Sequence, residues 1–566
     1  MPINQTEIFT KVITNTTYII SATSGFRSAS FFLFSGVGTF SGNLTVGADA
    51  STAVSLVVNQ AVTLSSDGSN SLGQVDLDCF GLGGGFGFHK PTTAVSDPAL
   101  ILKYTTTTPA EAIQVRTYST YSVGLNYDVD WGDSSSDSGI TTITKDHTYA
   151  VAGTYTVKIT GIFKAPNFGG MSTANKHKIV EFVNWGDLEY VYLRAAFNEC
   201  INMEYTATDA PDLSTAVATT GSMMRDMFYN CDSITGELDF SNWTNLECVG
   251  SYGMYKMFQN ANNIASINLT GWNVSNASNC TYMFYQVGTG TVNGCTFILD
   301  DMNWSNNNSF QYGFQNAKIN TISLDNWVLK ASATVSLASL FRGSQTPNAT
   351  LTLDLSGWTN TAQISSLSQT FWDSEFTSIN TTGWDTSGVT AMNYIFYQSA
   401  ELTEIVGLSG WKGDSVTTLL SAFNGCKNLS FATHNFDPTL WGASLTNLTT
   451  LNNTFYQCSL SAPNTAPNVT DWDVSSVTDM TSTFQDGKFT TALDISSWDF
   501  TSTTVMYRFM RGCTGTVSIT FSNILAVCTN FSQSFYQSTS LQTVIFDGSC
   551  VLSGVTTFNN AWNGAT

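Results

Sequence analysis

Side chains able to do acid–base, metal or nucleophilic chemistry are few in this chain, and they are scattered. Its four histidines, His89, His147, His177 and His434, lie in separate segments, and none sits in an H-E-x-x-H or other metal-ligand spacing. Neighbouring acids of the kind that hydrolyse glycosides occur as Asp300-Asp301, Asp373 with Glu375, and Glu401 with Glu404. With 42 acidic residues available, such neighbours also arise by chance. Asp128, Asp130 and Asp133 would offer hard oxygen ligands to calcium, but their spacing departs from the D-x-[DN]-x-[DN]-G loop, and turn capping is the competing role. The glycine-rich run at 81–88, G-L-G-G-G-F-G-F, lacks the lysine and the following helix of a phosphate-binding loop. No G-x-S-x-G elbow and no Walker loop occurs. The cysteine total of 11 is odd and contains no C-x-x-C pair. These residues predict a chain that is not an enzyme and holds no cofactor and no metal.

What organises the sequence is a ruler of aromatics. Phe197, Phe228, Phe258, Phe284, Phe314, Phe341, Phe371, Phe396, Phe423, Phe455, Phe484, Phe509 and Phe535, then Trp562, cover 365 residues in 13 steps, about 28 per step. A tryptophan usually precedes each by 10 to 15 residues: Trp185, Trp243, Trp272, Trp304, Trp327, Trp358, Trp384, Trp411, Trp441, Trp472 and Trp498. Eleven of the 14 tryptophans thus share one phase, which scattered core residues would not do. A period of this size is the mark of a solenoid.

Within one repeat, Leu351, Leu353 and Leu355 alternate with Thr352 and Asp354, as in a strand with one buried face. Val389, Met392, Ile395 and Phe396, at i, i+3, i+6 and i+7, suit one or two helical turns. Each unit therefore reads as a strand, a turn at tryptophan, a short helical piece and a return loop, and stacking lines the strands into a parallel ladder. Cys200, Cys231, Cys426 and Cys458, each three residues after the repeat phenylalanine, fit small buried side chains lining the stack. One outward row stands out: four residues before each tryptophan come Asp239, Asn268, Asp300, Ser323, Asp354, Asn380, Gly407, Asp437, Asn468 and Asp494. Two readings are open, a hydrogen-bonded Asx ladder that avoids like-charge neighbours, and a polar strip binding sugar hydroxyls or cations. The recurring F-Y-Q, as at Tyr285-Gln286, Tyr397-Gln398, Tyr456-Gln457 and Tyr536-Gln537, offers further carbohydrate or protein contacts, or loop packing.

V-T-D-M-T-S-T-F at 477–484, M-F-Y-N-C at 227–231 and T-G-W-D-T-S-G-V-T-A-M at 382–392 resemble the BspA-type leucine-rich repeats, also called DUF285. The resemblance implies a leucine-rich-repeat fold and a surface-exposed binding role, with no catalytic residues. Upstream, Trp131-Gly132-Asp133-Ser134, His147, Tyr149, Gly153, Tyr155 and Val157 resemble a PKD domain, an immunoglobulin-like sandwich serving as spacer or binding module; Ser134 replaces the family's second glycine.

The fold expected is β-dominated and multidomain. A small all-β domain spans 1–95, with β-like runs at 17–20, 30–34 and 53–58; a PKD-like β-sandwich spans 96–165. A leucine-rich-repeat solenoid of about 14 repeats, with a parallel β-ladder and short helical turns, spans 166–566, and Trp185-Gly186-Asp187 opens its first, capping repeat. Charged residues are 11% and the net charge is −21, so no basic stripe favours nucleic acid. Residues 1–20 carry one cation, Lys11, and no apolar core, so neither a signal peptide nor membrane insertion is expected. A surface-type array without an export signal points to a bacteriophage virion surface protein, such as a head fibre, decoration protein or tail-associated adhesin. Its N-terminal domain would meet other virion proteins or form a homo-oligomer, and its repeats would bind host-surface or environmental glycans or proteins. The alternatives are a bacterial cell-surface adhesin and a glycan-degrading virion enzyme.

Overall fold

The computed structural model describes residues 97–213, 223–243, 253–348, 350–441, 445–461, 465–515, 518–521, 527–546 and 550–565, together with five short strands among the first 64. The chain divides into two units, Met1–Val95 and Ser96–Thr566. In the first unit β1 (Ser21–Ala22), β3 (Asn43–Gly47) and β4 (Ala53–Val57) form one small sheet, and β2 (Gly38–Phe40) pairs with β5 (Val62–Leu64). The runs expected at 17–20 and 30–34, and the glycine-rich segment 81–88, lie outside the described residues.

The second unit begins with β6 (Leu100–Thr106), β7 (Glu111–Arg116), β8 (Asn126–Asp130), β9 (Ser136–Ile140), β10 (Thr144–Tyr149) and β11 (Gly153–Ile162). Alternation builds these strands: Val157 and Ile159 of β11 and Tyr127 and Val129 of β8 point inward, while Asp128 and Asp130 face outward. A short helix, α1 (Thr173–Lys176), leads to β12 (Ile179–Asn184). β12 pairs antiparallel with β6 and parallel with β13 (Glu204–Tyr205), so one sheet, ordered β13-β12-β6-β11-β8-β9, runs from the N-terminal layers into the first coil. Phe182 of β12 packs against Phe197 at 4.7 Å, and Phe168, in the turn before α1, stacks on it at 6.0 Å, so the sheet and this turn close the N-terminal end of the phenylalanine column.

Beyond it the chain is a β-solenoid of about 13 turns across residues 181–546. Ten successive ring pairs, from Phe197–Phe228 to Phe455–Phe484, have centroids 4.9–5.8 Å apart and planes within 27°. β14 (Glu237–Asp239), β15 (Ser266–Asn268), β16 (Cys295–Ile298) and β17 (Ile319–Ser323) form a parallel ladder that stacks Leu238, Ile267, Phe297 and Ile322. Near Ala391 a second parallel ladder, of single bridges, runs Ser366, Ala391, Thr418, Thr450, Asp479, Val505, Asn530 and Thr557. Beside it Thr390, Thr417, Thr449, Thr478, Thr504, Thr529 and Thr556 form a row. From Thr417 onward each backbone N–H donates to the carbonyl of the threonine one coil earlier, and so does each hydroxyl, as from Thr449 to Thr417 at 3.0 Å.

Two expectations need correction. The segment 388–398 is not helical. Among the described residues the α-helices are α1 and α2 (Pro438–Trp441), four residues each. Instead the N–H groups of Tyr394, Phe396 and Gln398 donate to Leu420, Ala422 and Asn424 of the next coil at 2.7–2.8 Å, while those of Ile395, Tyr397 and Ser399 close tight turns onto Met392, Tyr394 and Phe396. A helix would commit every N–H within its own coil and leave the neighbouring coil's carbonyls unpaired. The alternation uses left-handed residues two before and two after the ring, here Tyr394 and Gln398 with φ 57° and 60°.

The second correction concerns Phe509. The left-handed pair Arg508 and Gly512 flanks Met510, and the Ser538 hydroxyl, like the Cys231 and Cys426 thiols in their coils, donates to the ring-position carbonyl of the coil before, here Met510. Met510 therefore holds the ring position. Phe509 is buried beside it, 5.6 Å from Phe484 and edge-on at 79°.

Phe455 sits between Phe423 and Phe484 at 5.2 and 5.4 Å. Phe455→Ala is expected to lower stability by about 3–5 kcal/mol in urea unfolding. Met510→Phe, which restores a ring to the column, is expected to stay within about 1.5 kcal/mol of the parent. A neutral Phe455→Ala would contradict the stacked core.

Candidate functional site

The polar row ahead of the tryptophans builds the coil corner. Asp239, Asn268, Asp354, Asn380, Asp437, Asn468 and Asp494 each accept, through Oδ1, the N–H of the residue two further on, at 2.8–3.3 Å. Such Asx turns reverse the chain. The carbonyl just after the row then receives the next coil's indole N–H: Trp272 to Phe240, Trp358 to Leu324, Trp384 to Leu355 and Trp498 to Val469, at 2.9–3.0 Å. Trp411 uses the Thr381 hydroxyl instead, at 2.9 Å. Asp300 is out of register, because Asn268 pairs with Ile298 of β16. It reaches forward, accepting from the Ser323 hydroxyl at 2.6 Å and the Asp325 N–H at 2.9 Å. At Gly407 the backbone is left-handed, φ 87°, and an added Cβ would lie 2.6 Å from the Thr382 nitrogen. Neighbour-to-neighbour links occur at Asn268 with Asp239, 3.0 Å, and at Ser323 with Asp300.

The other chemistry-bearing residues are held in structural bonds. His147 stacks on Trp131 at 4.7 Å and meets Asp133 at 2.8 Å, while Tyr149 donates to the Trp131 carbonyl at 2.7 Å. Asp128, Asp130 and Asp133 accept the N–H groups of Gly139, Gly132 and Ser135 at 2.7–3.0 Å. Glu375 accepts the Thr346 N–H at 2.7 Å, and Glu404 accepts from the Ser378 hydroxyl at 3.1 Å. His177 follows α1 as its C-cap, His434 lies 3.6 Å from Glu404, and His89 is outside the described residues. Cys200, Cys231, Cys426 and Cys458 are buried; burial pushes their thiols up, that of Cys458 to about 12, far from a reactive thiolate.

The surface unlike the rest is the turn face, where the ring positions' neighbours point outward. It carries half-buried Tyr229, Tyr255, Tyr282, Tyr285, Tyr312, Trp372, Tyr394, Tyr397, Tyr456, Tyr507 and Tyr536. Their rings pack along the stack, Tyr282 on Tyr312 at 4.7 Å and Trp372 on Tyr397 at 4.5 Å. Cations lie among them: Arg342 over Trp372 at 4.6 Å, Lys256 within 5.2–5.7 Å of Tyr229, Tyr255 and Tyr282, Arg508 over Tyr507 and Arg511 over Tyr536. Tyr282, Tyr312 and Tyr394 hold left-handed backbone, φ 59°, 60° and 57°, at the position where other coils use Ser421, Asn453 or Ser482. A bulky side chain there costs about 1–2 kcal/mol, so the about 0.5–1.5 kcal/mol of one ring pair does no more than offset it. The F-Y-Q repeats flagged one part of this face. The rest was hidden, because the face is assembled from positions three and two before the ring and one and two after it, and only the turn geometry turns all four outward.

Stacked coils with a corner ladder, an aromatic column and a decorated turn face define a β-solenoid repeat protein. The chain belongs to the DUF285 family, described as a Mycoplasma protein of unknown function, whose model matches residues 192–327, 335–440 and 430–548. No curated protein and no solved structure matches the chain. Among the described residues no helix is long and apolar enough to cross a membrane.

Around the corner ladder, burial and the charges of Asp300, Asp354 and Asp301 raise the Asp325 carboxyl above its usual range. A carboxyl that holds its proton more tightly folded than unfolded makes stability fall as pH rises through the carboxylate range. Asp325→Asn is therefore expected to raise the melting temperature at about pH 7 and to leave it nearly unchanged near pH 3.5; thermal scans at the two pH values test this, and an equal shift at both would refute the repulsion.

Proposed function

We propose that the chain is a non-enzymatic binding protein displayed on the outside of a particle or cell, adhering through the turn face of its repeat array. The observation that carries this is the tyrosine–tryptophan–arginine face. Tyr, Trp and Arg are the residue types that dominate binding energy at recognition surfaces, and here several stand where the backbone disfavours them. Residues 96–165 serve as a PKD-like spacer, a role supported by the Trp131–His147–Tyr149 packing and by Phe163, which stacks on Phe168 ahead of the column.

The location we assign is a bacteriophage virion, as a head fibre, decoration protein or tail-associated adhesin whose N-terminal unit meets other virion proteins. A bacterial cell-surface adhesin is the second reading, favoured by the cellular organism in the family's description. Proteomics of purified particles and of cell fractions distinguishes the two: recovery in particles supports the virion, and recovery in the cell envelope alone overturns it. Purified full-length chain is expected to bind host cells and to release no oligosaccharide from their polysaccharides; released product would refute the non-enzymatic reading.

A further inference from the structure

The geometry points to a neutral polysaccharide as the ligand of the turn face, lying along the solenoid axis with about one sugar per coil, an inference that rests on the adhesive reading above. The densest part of the face covers five consecutive coils, those of Phe284, Phe314, Phe341, Phe371 and Phe396. It offers Tyr282 and Tyr285, Tyr312, Trp372, and Tyr394 and Tyr397 from four of these coils and Arg342 from the coil of Phe341, with Gln286 and Gln398 among the polar rungs.

Three properties select the ligand class. The first is period. The rungs repeat with the coils, whose core rings are 4.9–5.8 Å apart over this stretch, close to the length of one pyranose unit in an extended chain. An extended peptide repeats its facing side chains every ~6.6 Å and would drift out of register within a few coils. The second is chemistry. Tyr282 and Tyr312 stack on one another, while Tyr394 and Tyr397 meet Trp372 at a tilt, so the face mixes ring surfaces with phenolic hydroxyls; the amides add paired donors and acceptors, and together these match sugar rings and hydroxyls. The third is charge. The cations of this face are engaged with rings, as Arg342 with Trp372 and Lys256 with three tyrosines, or paired, as Arg225 with Asp226 at 3.0 Å. With a net charge of −21 behind them, a polyanion would be repelled.

The left-handed tyrosines supply a clean test, because asparagine suits their backbone better. Affinity electrophoresis of the full chain would use soluble β-1,3-glucan, β-1,4-glucan, amylose and mannan, with alginate and heparin as anionic probes. At least one neutral polymer is expected to retard the chain, and its oligosaccharides are expected to gain affinity up to about five sugars and then level off. Tyr394→Asn and Tyr312→Asn should each weaken binding at least tenfold without lowering the melting temperature, and Trp372→Ala should do the same to binding. Retardation by the anionic polymers alone, or variants that bind as the parent does, overturns the proposal. Adhesion to cells that survives periodate destruction of their glycans overturns the polysaccharide while leaving the adhesive reading intact; a chain that binds neither cells nor polymers removes both.

Discussion

Around its ring position, each described coil of this protein depends on its neighbour for every second backbone hydrogen bond. Near each ring position, alternate N–H groups close a local turn and the others cross to the next coil, as from Phe396 to Ala422 at 2.8 Å. A single coil could satisfy only the local set and could not bury its phenylalanine, so the coil exists only within the stack. The left-handed residues flanking each ring are the local expression of this constraint. They turn the peptide so that successive donors alternate between the chain's own coil and the next one, and they recur from Ala195 and Glu199 through Gln533 and Gln537.

The same constraint explains the ends and the corners. An aromatic column must be covered where it begins, and here the sheet of β6, β11 and β12 does this, with Phe163 and Phe168 continuing the stack of rings into the N-terminal layers. At the corners, a tryptophan indole needs a partner when buried, and for Trp272, Trp358, Trp384 and Trp498 the carbonyl just after the polar row provides it, whereas the buried indole N–H groups of Trp304, Trp441 and Trp472 meet no acceptor among the described residues. The acidic row is therefore one half of a corner whose other half is the tryptophan of the following coil. Trp562, the last ring position among the described residues, is 40% exposed.

Because backbone and core satisfy each other in this way, the outward positions of the turn face are not needed to hold the coil. Ser421, Asn453 and Ser482 show that small polar residues suffice there. The tyrosines, Trp372 and the cations are then additions to that scaffold, and the proposed adhesive role rests on this face, whereas the side chains of the polar row accept hydrogen bonds in the corner turns.

Much of the architecture was legible in the sequence, because a solenoid repeats its core at fixed spacing: the phenylalanine and tryptophan phases, the strand at Leu351–Leu355 and the packed cysteines all follow from side-chain type and period. The helical piece was not, since an i, i+3, i+6, i+7 pattern fits a row of tight turns as well as a helix, and only the neighbouring coil's carbonyls decide where the N–H groups go. Met510 was masked by Phe509 for a related reason: apolar type marks burial, whereas the ring position is set by the inter-coil hydrogen bonds. Asp300 fell out of its row because Ile298 is the residue that pairs with Asn268 and Ser323, so this coil has two more residues between the row and its tryptophan. The sequence by itself determined that coils form and what they bury. Which backbone groups pair between coils, and so which side chains face outward together, was decided by the tertiary structure, because those pairings join residues 22 to 34 apart that no local pattern can align.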